Sequence, residues 1–96
     1  MTNTELLIEE LASRGISAAF DPNECAADGG VLRATFDDGV RTGISGYALR
    51  DSIDAGWSVS QCADRLVELA KRERDYRRAH AEAERALSEI RNSQPQ

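Results

Sequence analysis

The chain has 96 residues, a formal net charge of −5, 41% hydrophobic and 30% charged residues, and only 5% aromatics. That length allows one domain with an extension, and a domain this small buries only about 60–65% of its unfolded surface, so it gains much from association. No apolar run approaches the roughly 18 residues of a membrane span, and the acidic, periodic start MTNTELLIEELASRG is not a secretory leader; two distant cysteines, Cys25 and Cys62, then read as reduced thiols in a cytoplasm.

The first predicted element is a helix over residues 3–14. Thr2 and Glu5 have capping-box spacing, Leu7, Ile8, Leu11 and Ala12 share one face, and Gly15 is a natural stop. Ile16 to Phe20 reads as a short strand, followed by turn chemistry at Asp21-Pro22-Asn23. Residues 23–30 form a loop or a single helical turn ending in two glycines. Leu32, Ala34 and Phe36 then alternate with Val31, Arg33 and Thr35, and Val40, Thr42 and Ile44 alternate with Arg41 and Gly43. With Asp37-Asp38-Gly39 between them, strands 31–36 and 40–44 are expected to pair antiparallel. Residues 45–56 fit either a short helix at about 47–55 or a continued strand; the helix is favoured by the spacing of Ala48, Leu49, Ser52 and Ile53.

A long helix over 58–92 follows. Ser58 and Gln61 form a second capping box, with Trp57 placed to pack on Cys62 as a staple. No Gly or Pro interrupts the segment. Val59, Cys62, Leu66, Leu69, Glu73, Tyr76, His80, Ala83, Leu87 and Ile90 recur at steps of three and four, the repeat that keeps one helix face toward a partner. At about 1.5 Å per residue the helix is roughly 50 Å long, more than the preceding residues can cover. The expected fold is α+β: a small three-stranded antiparallel sheet packed by an N-terminal helix and a long C-terminal helix, in the order α-β-β-β-α-α. Residues 1–70 form the head, 71–92 a helix extension used for association, and 93–96 a disordered tail.

Charge is divided unevenly. Residues 1–56 carry ten acids against four arginines, a balance of −6, and residues 57–96 carry seven acids against eight bases. An acidic head favours a basic partner surface and repels nucleic acid. The carboxylates expected to meet that partner are Glu9, Glu10, Asp37, Asp38, Asp51 and Asp54. Glu73, Tyr76, His80, Ala83, Leu87 and Ile90 are the expected homodimer seam. A parallel pair sets Arg72 against Arg77 of the other chain, whereas an antiparallel pair crossing near His80 brings Arg77 toward Glu84, so the antiparallel arrangement is expected.

Other chemistries find little footing. One histidine and two separated cysteines do not make a zinc site, and no nucleophile, triad or phosphate-cradling loop has the required spacing. Neither an enzyme nor a cofactor is expected. Arg72, Arg74, Arg77 and Arg78, with Tyr76 between them, are the alternative contact for nucleic acid, but Glu73 and Asp75 interrupt the run. A helix-turn-helix over residues 47–66 would have a recognition helix with no base before Arg65.

The element order is similar to that of double-stranded-RNA-binding domains, but their second helix starts Lys-rich, where this chain has Val59-Ser60-Gln61-Cys62-Ala63-Asp64. Thr35-Phe36-Asp37-Asp38, Ser45-Gly46, Tyr47-Ala48 and Asp51-Ser52-Ile53, about 20 positions in all when the hairpin and helix around them are included, resemble small acidic phage anti-CRISPR proteins of the DNA-mimic type. That resemblance implies a non-enzymatic inhibitor occupying a basic nucleic-acid channel of a CRISPR-type complex. The sequence-based expectation is therefore a cytoplasmic, homodimeric, protein-binding inhibitor. The alternatives are a dimeric nucleic-acid-binding regulator using the Arg-rich helix and a small structural assembly subunit.

Overall fold

A computed structural model describes residues 1–93 of the chain. In chain order the elements are α1 (Asn3–Ser13), β1 (Ser17–Asp21), a 3-10 turn (Ala26–Asp28), β2 (Val31–Thr35), β3 (Arg41–Ser45), α2 (Gly46–Asp54) and α3 (Val59–Ser93). This is the expected α+β order. Boundaries move by a residue: Ile16 precedes β1, Phe36 lies in the turn after β2, and Ser93, expected in the tail, ends α3. The remainder of the expected tail, residues 94–96, lies outside the described residues.

Local chemistry sets the element ends. The Thr2 hydroxyl accepts from the Glu5 amide at 3.2 Å at the start of α1, satisfying a donor that the helix itself leaves unpaired. At the start of α3 the box is reciprocal: Gln61 N donates to Ser58 Oγ at 3.1 Å, and Ser58 N donates to Gln61 Oε1 at 2.8 Å. Ser45 Oγ caps α2 by accepting from Ala48 N at 3.2 Å, which resolves residues 46–54 as helix and not continued strand. Between β2 and β3, Gly39 turns the chain at φ +84°, a conformation that costs a residue without Cβ little.

The sheet is antiparallel in the order β1-β2-β3. Ala19, Arg33 and Gly43 align across it, as do Phe20, Leu32 and Ile44. Alternation divides the strands between two faces. Leu32, Ala34, Val40 and Thr42 turn toward the helices and are buried, while Arg33, Thr35, Arg41 and Gly43 are exposed. Leu7 and Leu11 of α1, Leu49 of α2, and Cys62, Ala63, Leu66 and Ala70 of α3 complete one core. Burial of each large side chain contributes about 1.5–3 kcal/mol. The join between sheet and α2 is tight: Gly46 N donates to Gly30 O at 2.9 Å, and a Cβ at Gly46 would fall 2.2 Å from Gly29 O.

The core ends at Ala70, but α3 does not. From Asp75 to Asn92 its residues are exposed, and the molecule measures 65 × 29 × 22 Å because that half of the helix leaves the head. The uninterrupted run of helix-forming residues keeps it helical, and nothing in the head is long enough to pack beside it.

Candidate functional site

The projecting half of α3 carries the expected seam. Glu73, at the edge of the head, is partly buried, and Tyr76, His80, Ala83, Leu87 and Ile90 are exposed along the following turns. Tyr76 is 66% exposed, and Leu87 and Ile90 are 54% exposed each. The Tyr76 and His80 rings stack at 6.1 Å with 4° between their planes. His80 Nε2 reaches Glu84 at 3.1 Å, and Arg77 Nε donates to Glu73 at 2.9 Å. Helical spacing thus brings all six seam residues to one side, with Arg77 and Glu84 along its flank.

The acidic residues behave differently. Asp37 and Asp38 sit in the turn before β3, whereas Asp51 and Asp54 lie on α2 beyond its end. Five residues of strand separate the two groups by about 17 Å. Asp38 is engaged by the Arg74 guanidinium and also accepts from Val40 N at 3.2 Å. Arg74 lies 5.1 Å above the Phe36 ring, so this arginine fastens the last supported turn of α3 to the hairpin. Its hydrogen bond holds the Asp38 carboxyl below the ordinary carboxylate range. Glu24 is held low in the same way by Arg33.

Glu10 is also engaged. Arg14 reaches Glu10 at 3.0 Å and Asp64 at 2.7 Å, and donates to Ser60 O at 3.2 Å. This clasp ties the end of α1 to the first turns of α3. Asp51 is 3.6 Å from Arg50. Glu9, Asp37 and Asp54 are exposed and have no ion-pair partner among the described residues. Of the six carboxylates read from the sequence, these three are therefore the ones presented without a neighbouring cation.

The arginine run is largely occupied by the chain's own acids. Arg72 lies 3.7 Å from Glu68, Arg77 2.9 Å from Glu73, and Arg74 faces Asp38. Arg78 alone of the four has no ion-pair partner among the described residues. A phosphate would have to displace carboxylates from three of these guanidinium groups.

Sequence reasoning did not find one further feature. A groove of about 490 Å³ opens beside β3, lined by Gly43, Ile44, Trp57, Arg65, Leu66 and Leu69 among others. Trp57 is 45% exposed at its rim, and Cys62, against which a staple was expected, lines the same groove. An aromatic residue ahead of a capping box was the available signal, but it pointed to helix capping and not to a surface.

Cys25 and Cys62 are both free. Burial pushes the Cys62 thiol above its ordinary range. Among the described residues no group of three or more His, Cys, Asp or Glu is placed to hold a metal ion. No helix among them is long and apolar enough to cross a membrane. No family model matches the chain, and no curated protein or solved structure matches it.

Proposed function

We propose that this chain is a non-enzymatic interaction protein that pairs with a second copy through the projecting half of α3 and presents its acidic head to a basic protein surface. The observation that carries this reading is the helix itself. Its seam from Tyr76 to Ile90 continues the repeat of the buried half, yet stands in solvent. Helix propagation beyond the core is close to neutral per residue, and most helical stability in proteins comes from packing an apolar face. A second copy supplies that packing. Its orientation follows from charge: antiparallel pairing sets Arg77 beside Glu84 of the other chain, while parallel pairing opposes Glu73 to Glu73 and Arg72 to Arg77.

Within this reading, the head's functional contact falls to Glu9 on α1, Asp37 in the hairpin turn and Asp54 on α2, with Asp51 beside Asp54. A phage-encoded inhibitor that occupies the nucleic-acid channel of a CRISPR-type complex is its narrowest form, supported by the resemblance of the hairpin and α2 segments and by the acidic balance of the head. The nucleic-acid-regulator reading is weaker, because Arg72, Arg74 and Arg77 already face carboxylates.

Light scattering on the intact chain and on Leu87→Glu/Ile90→Glu tests the assembly. The intact chain should be a dimer and the variant a folded monomer. A monomeric intact chain, or a variant that still dimerises, overturns it. Replacing Asp37, Asp51 and Asp54 with Asn and Glu9 with Gln should leave both fold and dimer unchanged while weakening retention on a cationic resin at low salt more than neutralising Glu5, Asp21, Asp28 and Glu89 does; equal weakening by the two sets contradicts a binding surface made of these acids.

A further inference from the structure

The edge of β3 and the groove beside it form a second surface, independent of the dimer seam and of the acids. The hydrogen bonds that close the two ends of the β2–β3 ladder fix its alternation. Phe36 N donates to Val40 O, and Gly46 N donates to Gly30 O, both at 2.9 Å. With the observed register, Thr42 and Ile44 therefore exchange backbone bonds with β2. Arg41 and Gly43 turn their N–H and C=O groups the other way, toward the open edge. Both residues are exposed, and among the described residues no strand covers that side of β3.

Such edges are usually blunted by short length, charged side chains, Pro, a bulge or a covering segment; on this five-residue strand Arg41 is the charged side chain. This one has a glycine at its centre, and the groove adjoins it. Gly within a strand often marks a place where another backbone comes close.

We propose that the β3 edge binds an extended, acidic segment of a foreign protein as a fourth strand. The residue opposite Gly43 would exchange both backbone bonds with it. Its two neighbours, opposite Thr42 and Ile44, would turn their side chains to the helix side, into the groove between Ile44, Leu66, Leu69 and Trp57. Those two positions call for apolar side chains. Arg65 in the groove and Arg41 on the exposed sheet face have no ion-pair partner among the described residues. Flanking carboxylates on the added strand would supply them. A second copy of β3 is a poor occupant. Its own helix-side residues, Thr42 at 8% exposure and partly buried Ile44, are committed to its own core and cannot enter the groove.

The probe is a capped seven-residue peptide with a valine-threonine-valine centre and two glutamates at each end, which puts a carboxylate on both faces of the added strand, titrated into the ¹⁵N-labelled chain. The Gly43 and Ile44 amides and the Trp57 indole should shift together and saturably below about 1 mM peptide, the weak end of specific association. Methylating the central backbone nitrogen of the peptide, which keeps every side chain and removes one ladder donor, should weaken binding at least about tenfold. Trp57→Ala should weaken it comparably with the chain still folded, and a lysine-flanked peptide should bind less tightly. Absence of shifts, equal binding by the methylated peptide, or preference for the lysine-flanked peptide overturns the proposal. So does a concentration-dependent shift of Gly43 without peptide, which would show the edge paired with its own copy.

Discussion

Ending the chain after Asp75 separates the two halves of α3 cleanly. The cut keeps Arg74, its hold on Asp38 and its position over Phe36, and it keeps every core residue, the last being Ala70. It removes the exposed turns from Tyr76 onward. Helix propagation is close to neutral per residue in an unsupported segment, and the exposed pairs lost with it, Glu73–Arg77 and His80–Glu84, contribute little. The head's own unfolding free energy should therefore change by no more than about 1 kcal/mol, the scale of a few weak surface terms. For comparison, Leu66→Ala, at a position 1% exposed, should cost about 2–5 kcal/mol. Urea titrations followed by Trp57 fluorescence at about 5 and 500 µM chain separate folding from assembly. The truncated chain should give one curve at both concentrations. The intact chain should gain up to about 1.4 kcal/mol per mole of dimer for each tenfold rise. A truncated head that loses more than about 3 kcal/mol, the size of a deleted core side chain, would refute the division of α3 into a supported half and a free half.

Other consequences are accessible to simple measurements. Thr42 Oγ1 is buried without a hydrogen-bond partner, so Thr42→Val should stabilise the fold by about 1 kcal/mol, read as a raised urea midpoint at unchanged slope. In the native chain one thiol per molecule should react promptly with a disulfide reagent, since Cys25 is exposed and Cys62 is buried; two fast thiols would contradict the placement of α3 on the sheet. The Arg74 hydrogen bond holds the folded Asp38 carboxyl below its ordinary 3.8. Its contribution is therefore present above that value and disappears as pH falls through the lower, folded one. Asp38→Asn should accordingly lower stability slightly in the neutral range, flatten the acid limb below about pH 4, and converge with the native chain at lower pH. An unaltered acid limb would mean that Arg74 does not hold this carboxylate in solution.

The elements were legible in the sequence wherever their causes are local. The capping boxes at Thr2 and Ser58 and the turn at Gly39 depend on residues three or four apart, and the alternation through Leu32, Ala34, Val40 and Thr42 has a period the sequence displays directly. The seam was legible for the same reason, because helical spacing alone gathers Tyr76, His80, Ala83, Leu87 and Ile90. What the sequence could not display depends on contacts between distant segments. Arg14 meets Asp64 across 50 residues and Arg74 meets Asp38 across 36, and the second of these removes Asp38 from the set of unpaired acids; the Arg14 pair that removes Glu10 is a local contact four residues apart. The β3 groove is likewise a product of tertiary packing: Gly43, Trp57 and Leu69 become neighbours only when α3 is laid against the sheet.

The central claim is that the free half of α3 pairs antiparallel with a second copy, and charge reversal measured by sedimentation equilibrium tests it most directly. Arg77→Glu and Glu84→Arg should each weaken the dimer, since each sets like charges together across the seam. The double variant Arg77→Glu/Glu84→Arg should restore association to within a few-fold of the intact chain, the signature of two coupled sites. A double variant no tighter than the weaker single variant, or an intact chain that remains monomeric at about 100 µM, well within the range where a functional dimer would form, would contradict the account.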